Sequence, residues 1–223
     1  MLEENLKSIF EEISTGNNLG EKITLVGATK TIDPETINRA VELGLSVVAE
    51  NRVQEFNLKH QSIKGATHHF IGHLQTNKVK YLVGSVDLIQ SVDSMHLAEE
   101  INRVANKRNV TQNVLIEVNI GGELSKSGIT SETAKSFIEQ ATQNLKNLKI
   151  KGLMAMLPKS DDDVFLASLC DKMRALYDTL DAFFGFDYLS MGMSGDYKIA
   201  IRHGSNMIRL GRNIFGERNY GGK

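Results

Sequence analysis

A chain of 223 residues with 41% hydrophobic side chains can bury a sizeable core, which excludes disorder as its resting state. Its single cysteine, Cys170, excludes an internal disulfide framework and a cysteine-built zinc site. With 26 basic against 27 acidic residues, a net charge of -1, the surface does not suit general nucleic-acid binding.

No apolar run reaches the ~20 residues that cross a bilayer. The opening MLEENLKSIFEEI carries acid where a signal peptide carries Lys or Arg. A cytoplasmic protein without membrane or nucleic-acid partners is expected.

A leading helix is expected at about 2–14, and from residue 23 short apolar runs alternate with helical patterns. The runs are 23–29, 46–50, 68–72, 86–92, 113–119, 149–157, 187–192 and 206–211. Between them, DPETINRAVELG opens on Asp33 as N-cap with Pro34 at the first helical position. SMHLAEEINRVANKR has a Ser94 cap and apolar residues at 97, 101, 104 and 105, a helical spacing. SETAKSFIEQATQNL and DVFLASLCDKMRALYDTLDAFFG supply two further long helices. Eight strand–helix units predict one α/β domain over 1–223, a (β/α)8 TIM-type barrel at about 23–216. An open doubly wound sheet is the alternative, but no Gly-rich dinucleotide loop follows the first strand.

Barrels of this kind carry their sites at the C-terminal strand ends, often with phosphate held after strands seven and eight. Here those ends present Lys30, Asn51, His73, Ser91, Asn119, Met156, the segment SMGMS at 190–194, and RLGR at 209–212. Alternation places Thr24, Val26, Ala28 and Lys30 on one face of the first strand, and Ile23, Leu25 and Gly27 on the other. The heavier apolar pair suits the helices, so Lys30 points into the barrel mouth. Met207 and Arg209 share a face of the eighth strand, which closure makes the neighbour of the first. Two cations crowded in a partly desolvated mouth favour the uncharged lysine amine, the form that attacks an aldehyde or ketone. The alternative is a structural pair with Glu117, which Val114, Ile116 and Val118 leave on the inner face. SMGMSGDYK, before a helix starting near Asp196, and Gly211 in RLGRN both suit an anion.

Other features read as structural. His68 and His69 point to opposite faces of a strand, so no metal is expected. Asp161 to Asp163 read as a helix cap, Cys170 as a buried inert thiol, and GGELSKSG as a mobile loop after strand five.

TLVGATKTI around Lys30, AENRVQE at 49–55, HFIGHLQTNK at 69–78 and VNIGGELSKSGI at 118–129 are followed by KGLMAM, LSMGMS and MIRLGRNIFGERNY at 207–220. In these motifs and their order the chain resembles the pyridoxal-phosphate homeostasis protein family, relatives of the barrel domain of alanine racemase. The resemblance implies pyridoxal 5′-phosphate (PLP) as cofactor, held by Lys30 as a Schiff base. It implies Ser194 and the backbone amides of Gly211 and Arg212 at the phosphate, Arg209 at the pyridine nitrogen, and Asn51 and Met156 near the ring. Two positions depart from the family pattern: Ala49 stands in place of a glycine, and Gly195 in place of an acid.

An arginine does not readily give up its proton, so the ring nitrogen facing it stays unprotonated and the ring is a poor electron sink. A monomeric protein that holds or delivers PLP to apo-enzymes, without robust catalysis, is therefore expected. The alternatives are a PLP-dependent racemase and a cofactor-free Schiff-base aldolase. Racemisation needs acid/base groups on both faces of the substrate carbon. In alanine racemase a tyrosine from a second domain serves one face. Here the chain ends at Lys223, after the eighth unit, and none of Tyr81, Tyr177, Tyr188, Tyr197 and Tyr220 lies at a strand end.

Overall fold

The computed structural model describes residues 1–123 and 126–217. The eight expected runs form eight parallel strands: β1 (Thr24–Ala28), β2 (Val47–Glu50), β3 (Thr67–Phe70), β4 (Leu88–Val92), β5 (Gln112–Glu117), β6 (Leu148–Met154), β7 (Tyr188–Ser190) and β8 (Met207–Leu210). They pair in chain order and close into a barrel. The closing register sets Val26 opposite Arg209 and Gly27 opposite Leu210.

Around the strands run α1 (Leu2–Ile13), α2 (Pro34–Glu42), α3 (Val53–Lys59), α4 (Met95–Lys107), α5 (Ser131–Asn144), α6 (Asp163–Phe184), α7 (Tyr197–Arg202) and α8 (Arg212–Phe215). The caps are those the side chains suggest. Asp33 accepts from the Thr36 amide at 2.9 Å and Ser94 from Leu97 at 3.4 Å. In the acidic run it is Asp162 that caps α6, accepting from Phe165 at 3.0 Å. After β3 a 3-10 turn (Thr76–Tyr81) stands where the barrel plan calls for an α-helix. Val79, Leu82, Val83 and Val86 are buried in that connection, so its packing rather than its length fixes it.

Strand alternation sorts the core into two layers. Leu25 packs outward with Ile23 and Ile37, and Val114, Ile116 and Val118 face the helices. Val26, Val47, Ala49, Leu88, Leu115, Met154 and Met207 fill the barrel interior. Cys170 is buried in the outer layer, and burial pushes its thiol up to about 12, leaving it inert. Towards the C-terminal ends the interior turns polar, with His69, Gln90, Glu117, Ser190 and Arg209 all buried.

Candidate functional site

A cavity of about 640 Å³ is formed at those strand ends. Lys30, Asn51, Met156, Ser194, Arg209, Gly211 and Arg212 all line it, so the structure brings the seven sequence-derived residues together. Ala28, Ala49 and Ile71 add apolar surface. Ala49 thus places a methyl where the family pattern has a glycine. Gly72 has no room for one. A Cβ there would lie 2.1 Å from the Asn51 carbonyl oxygen, and this close approach fixes the backbone beside Asn51.

Lys30 sits two residues past β1, between two clamped neighbours. The Thr29 hydroxyl donates to Glu50 Oε1 at 2.7 Å, and the Thr31 amide donates to Glu55 Oε2 at 2.7 Å. Lys59 joins the two carboxylates. Its Nζ lies 3.0 Å from Glu50 Oε1, from Glu55 Oε2 and from the Thr29 carbonyl oxygen. Those three bonds use every donor of an ammonium. The clamp holds Thr31 at φ 67, a left-handed conformation costly for a β-branched residue. Burial holds the Glu50 carboxyl above its ordinary value, against the pull of Thr29 and Lys59. Glu55 feels burial too, but its bonds from Thr31 and Lys59 keep it low.

Across the closing seam, Arg209 Nη1 donates to the Ser190 carbonyl oxygen at 3.0 Å and to Ser190 Oγ at 2.6 Å. Its Nη2 donates to the Ala155 carbonyl oxygen at 2.9 Å. Burial lowers its pKa to about 10, against the fields of Asp196 and Glu117, so the guanidinium is charged at neutral pH.

The phosphate-type segments differ from expectation in one respect. Gly192, at φ 101, admits α7 so closely that a Cβ would lie 2.8 Å from Ala200 Cβ. Yet α7 spans only six residues, and Asp196 before it takes the Met193 amide at 2.5 Å. That acid counters the helix dipole expected to attract an anion. Ser194 and the start of α8, where the first turn has no internal partners for its amides, line the same cavity.

Strand five carries Glu117 inward as the alternation requires. Burial, reinforced by Asp93, raises its pKa to about 7, against Arg209 and His73. His73 Nδ1 lies 3.1 Å from Asp93 Oδ2 and 3.4 Å from Ser127 Oγ. Both contacts use the same nitrogen, so the three do not form a nucleophilic triad, which needs one partner on each ring nitrogen. His69 faces Gln90 inside the barrel while His68 lies edge-on to Phe56 outside, as opposite faces demand. Residues 124 and 125 of the GGELSKSG loop, and residues 218–223 with Tyr220, lie outside the described residues.

The Glu50–Lys59–Glu55 clamp and the buried Gln90 escape a reading of strand ends alone. Glu55 and Lys59, four apart on a short helix, are the one sequence signal, and that spacing reads equally well as a surface pair.

The alanine racemase N-terminal domain family matches residues 24–219. A pyridoxal phosphate homeostasis protein of Aquifex aeolicus is 43% identical over 221 residues, covering 97% of this chain and 95% of its own. PipY of Synechococcus elongatus, solved without PLP, superposes with a TM-score of 0.88 at 28% identity, over 97% of this chain and 100% of its own. PipY with PLP bound gives 0.85 at 27% identity over the same shares. Alanine racemase of Clostridium difficile has the same fold, with a TM-score of 0.77 at 16% identity over 98% of this chain and 56% of its own. A closed barrel, a lysine-bearing cavity at its mouth and near-complete coverage agree that this chain belongs to the pyridoxal phosphate homeostasis protein family.

Proposed function

We infer that the protein binds PLP in this cavity and acts in the homeostasis of that cofactor. The observation that carries the reading is the convergence on one cavity of a lysine, a buried charged arginine and the turn that opens α8. The residues fit the group. Asn51 Oδ1 is buried on the cavity wall with no hydrogen-bond partner among the described residues, an acceptor that a bound ligand can satisfy.

When bound, PLP supplies an aldehyde and an electron-accepting ring. We assign Lys30 as the residue whose side-chain amine would hold it covalently. Ser194 and the amides of Gly211 and Arg212 would hold its phosphate, Arg209 would face the ring nitrogen, and Asn51 and Met156 would lie near the ring. The motifs that carry the family resemblance and the single cavity these residues line support these assignments. A charged arginine at the ring nitrogen leaves that nitrogen without a proton, which favours storage over turnover of amino acids. Tyr81, Tyr177, Tyr188 and Tyr197 do not line the cavity, so none is placed to serve a second face of a substrate. The proposed role is a monomeric cytoplasmic reservoir from which apo-enzymes draw. Among the described residues no helix is long and apolar enough to cross a membrane.

Borohydride reduction of the PLP-loaded protein, followed by peptide mapping, tests the assignment. The pyridoxyl group is expected on the peptide containing Lys30, and Lys30→Ala is expected to be colourless. A label on Lys78 or Lys126 instead would overturn it.

A further inference from the structure

Arg209 is the end of a hydrogen-bonded chain that crosses the barrel interior. Ser190 Oγ, on β7, accepts from Arg209 at 2.6 Å and lies 2.7 Å from Gln90 Oε1, on β4. Gln90 Nε2 lies 3.0 Å from His69 Nδ1, on β3, and 3.3 Å from Met207 Sδ. All four polar residues are buried, with no more than 6% of their surface exposed.

Donor counting gives the chain a single direction. A guanidinium only donates, so Ser190 Oγ receives its hydrogen and must send its own to Gln90 Oε1. That fixes the Gln90 amide with its nitrogen towards His69. His69 Nδ1 must then accept, which makes His69 neutral with its proton on Nε2. Burial also disfavours the charged ring, lowering its pKa to about 4. Reversal at any link would set two donors or two acceptors face to face in a dry interior.

The chain leaves Arg209 unusual in one respect. Its three bonds go to neutral oxygens, and no carboxylate reaches it within ion-pair distance among the described residues. Its charge is therefore fixed in place without being neutralised, and two of its five N–H groups are left for the cavity it lines. We propose that Ser190, Gln90 and His69 are positioning residues that hold Arg209 as a directed cationic donor and thereby set the electronic state of the bound cofactor ring. The inference rests on PLP binding in this cavity.

The test compares PLP-loaded wild type, Gln90→Leu, Ser190→Ala and His69→Leu by absorbance titration and by the rate at which PLP passes to a trapping apo-enzyme. Gln112→Leu serves as control. Gln112 is also a buried glutamine, bonded to the Gly84 amide and the Val86 carbonyl oxygen away from the cavity. Gln90→Leu and Ser190→Ala are expected to shift the apparent pKa of the bound chromophore by about one unit. They should also release PLP roughly ten-fold faster, the worth of one hydrogen bond to a charged group. His69→Leu, one link further away, should move both in the same direction by less. Gln112→Leu should lower the melting temperature while leaving spectrum and release unchanged.

Yellow variants that titrate and release like wild type would overturn the inference while leaving PLP binding intact. An equal spectral shift in Gln112→Leu would also overturn it. Should Gln90→Leu not fold, Ser190→Ala and His69→Leu decide by the same criteria. A wild type that never colours with PLP would overturn the binding reading, and this inference with it.

Discussion

Lys30 was legible in the sequence because strand alternation is a strict rule and Lys30 extends it past a clear apolar run. The residues that hold it were not. Glu50, Glu55 and Lys59 acquire their role only when the end of β2 and the start of α3 meet the loop after β1, and sequence spacing does not report that meeting. Lys59→Met should leave the buried Glu50 and the half-buried Glu55 without a counter-ion and cost about 2–3 kcal/mol in denaturant unfolding. A loss under ~1 kcal/mol, the range of an exposed pair, would show that Lys59 does not hold the two carboxylates together. The proposed anion contacts make a second prediction at this scale. Pyridoxal without its phosphate forfeits two or more charge-assisted hydrogen bonds, so it should bind at least ~100-fold more weakly than PLP in a spectral titration. Equal affinities would remove Ser194, Gly211 and Arg212 from the site.

At the scale of elements, the sequence carries strand order and helix starts better than helix lengths. Period-two runs and Asp or Ser caps are local signals, so eight strands and the caps at Asp33 and Ser94 can be read directly, and the α6 cap as one of Asp161 to Asp163. The stunted α7 and the 3-10 turn after β3 depend on how closely neighbours approach, as at Gly192, which propensity does not encode. Gly72 is the sharpest case. Gly72→Ala would force the end of β2 away from β3 and should cost roughly 1–3 kcal/mol by overpacking. Because Asn51 moves with that backbone, PLP affinity should fall with it. Asp162→Ala, by contrast, removes a cap from α6 and should cost about 1 kcal/mol, with PLP affinity unchanged.

For the whole molecule, two buried groups oppose each other in pH. Glu117 has its pKa raised in the folded state, from 4.5 to about 7, chiefly by burial. The folded state therefore keeps its proton longer, and this contribution is present below about 4.5 and is lost as pH rises through about 7. His69 is depressed from 6.5 to about 4, also by burial, so its contribution is present above about 6.5 and is lost as pH falls through about 4. The two nearly cancel across that window. Glu117→Gln should uncover a stability that climbs with pH, and His69→Gln one that declines, each by roughly 3 kcal/mol at most. Parallel slopes in both variants, followed by thermal unfolding, would refute the pairing. Closure of the ring carries a last consequence, for synthesis. Lys30 leaves the ribosome long before Arg209, yet β1 and β8 are adjacent in the finished barrel. Under the assignments above, a chain cut before β7 lacks Ser194, Arg209, Gly211 and Arg212, so ligand capture reports that the ring has closed.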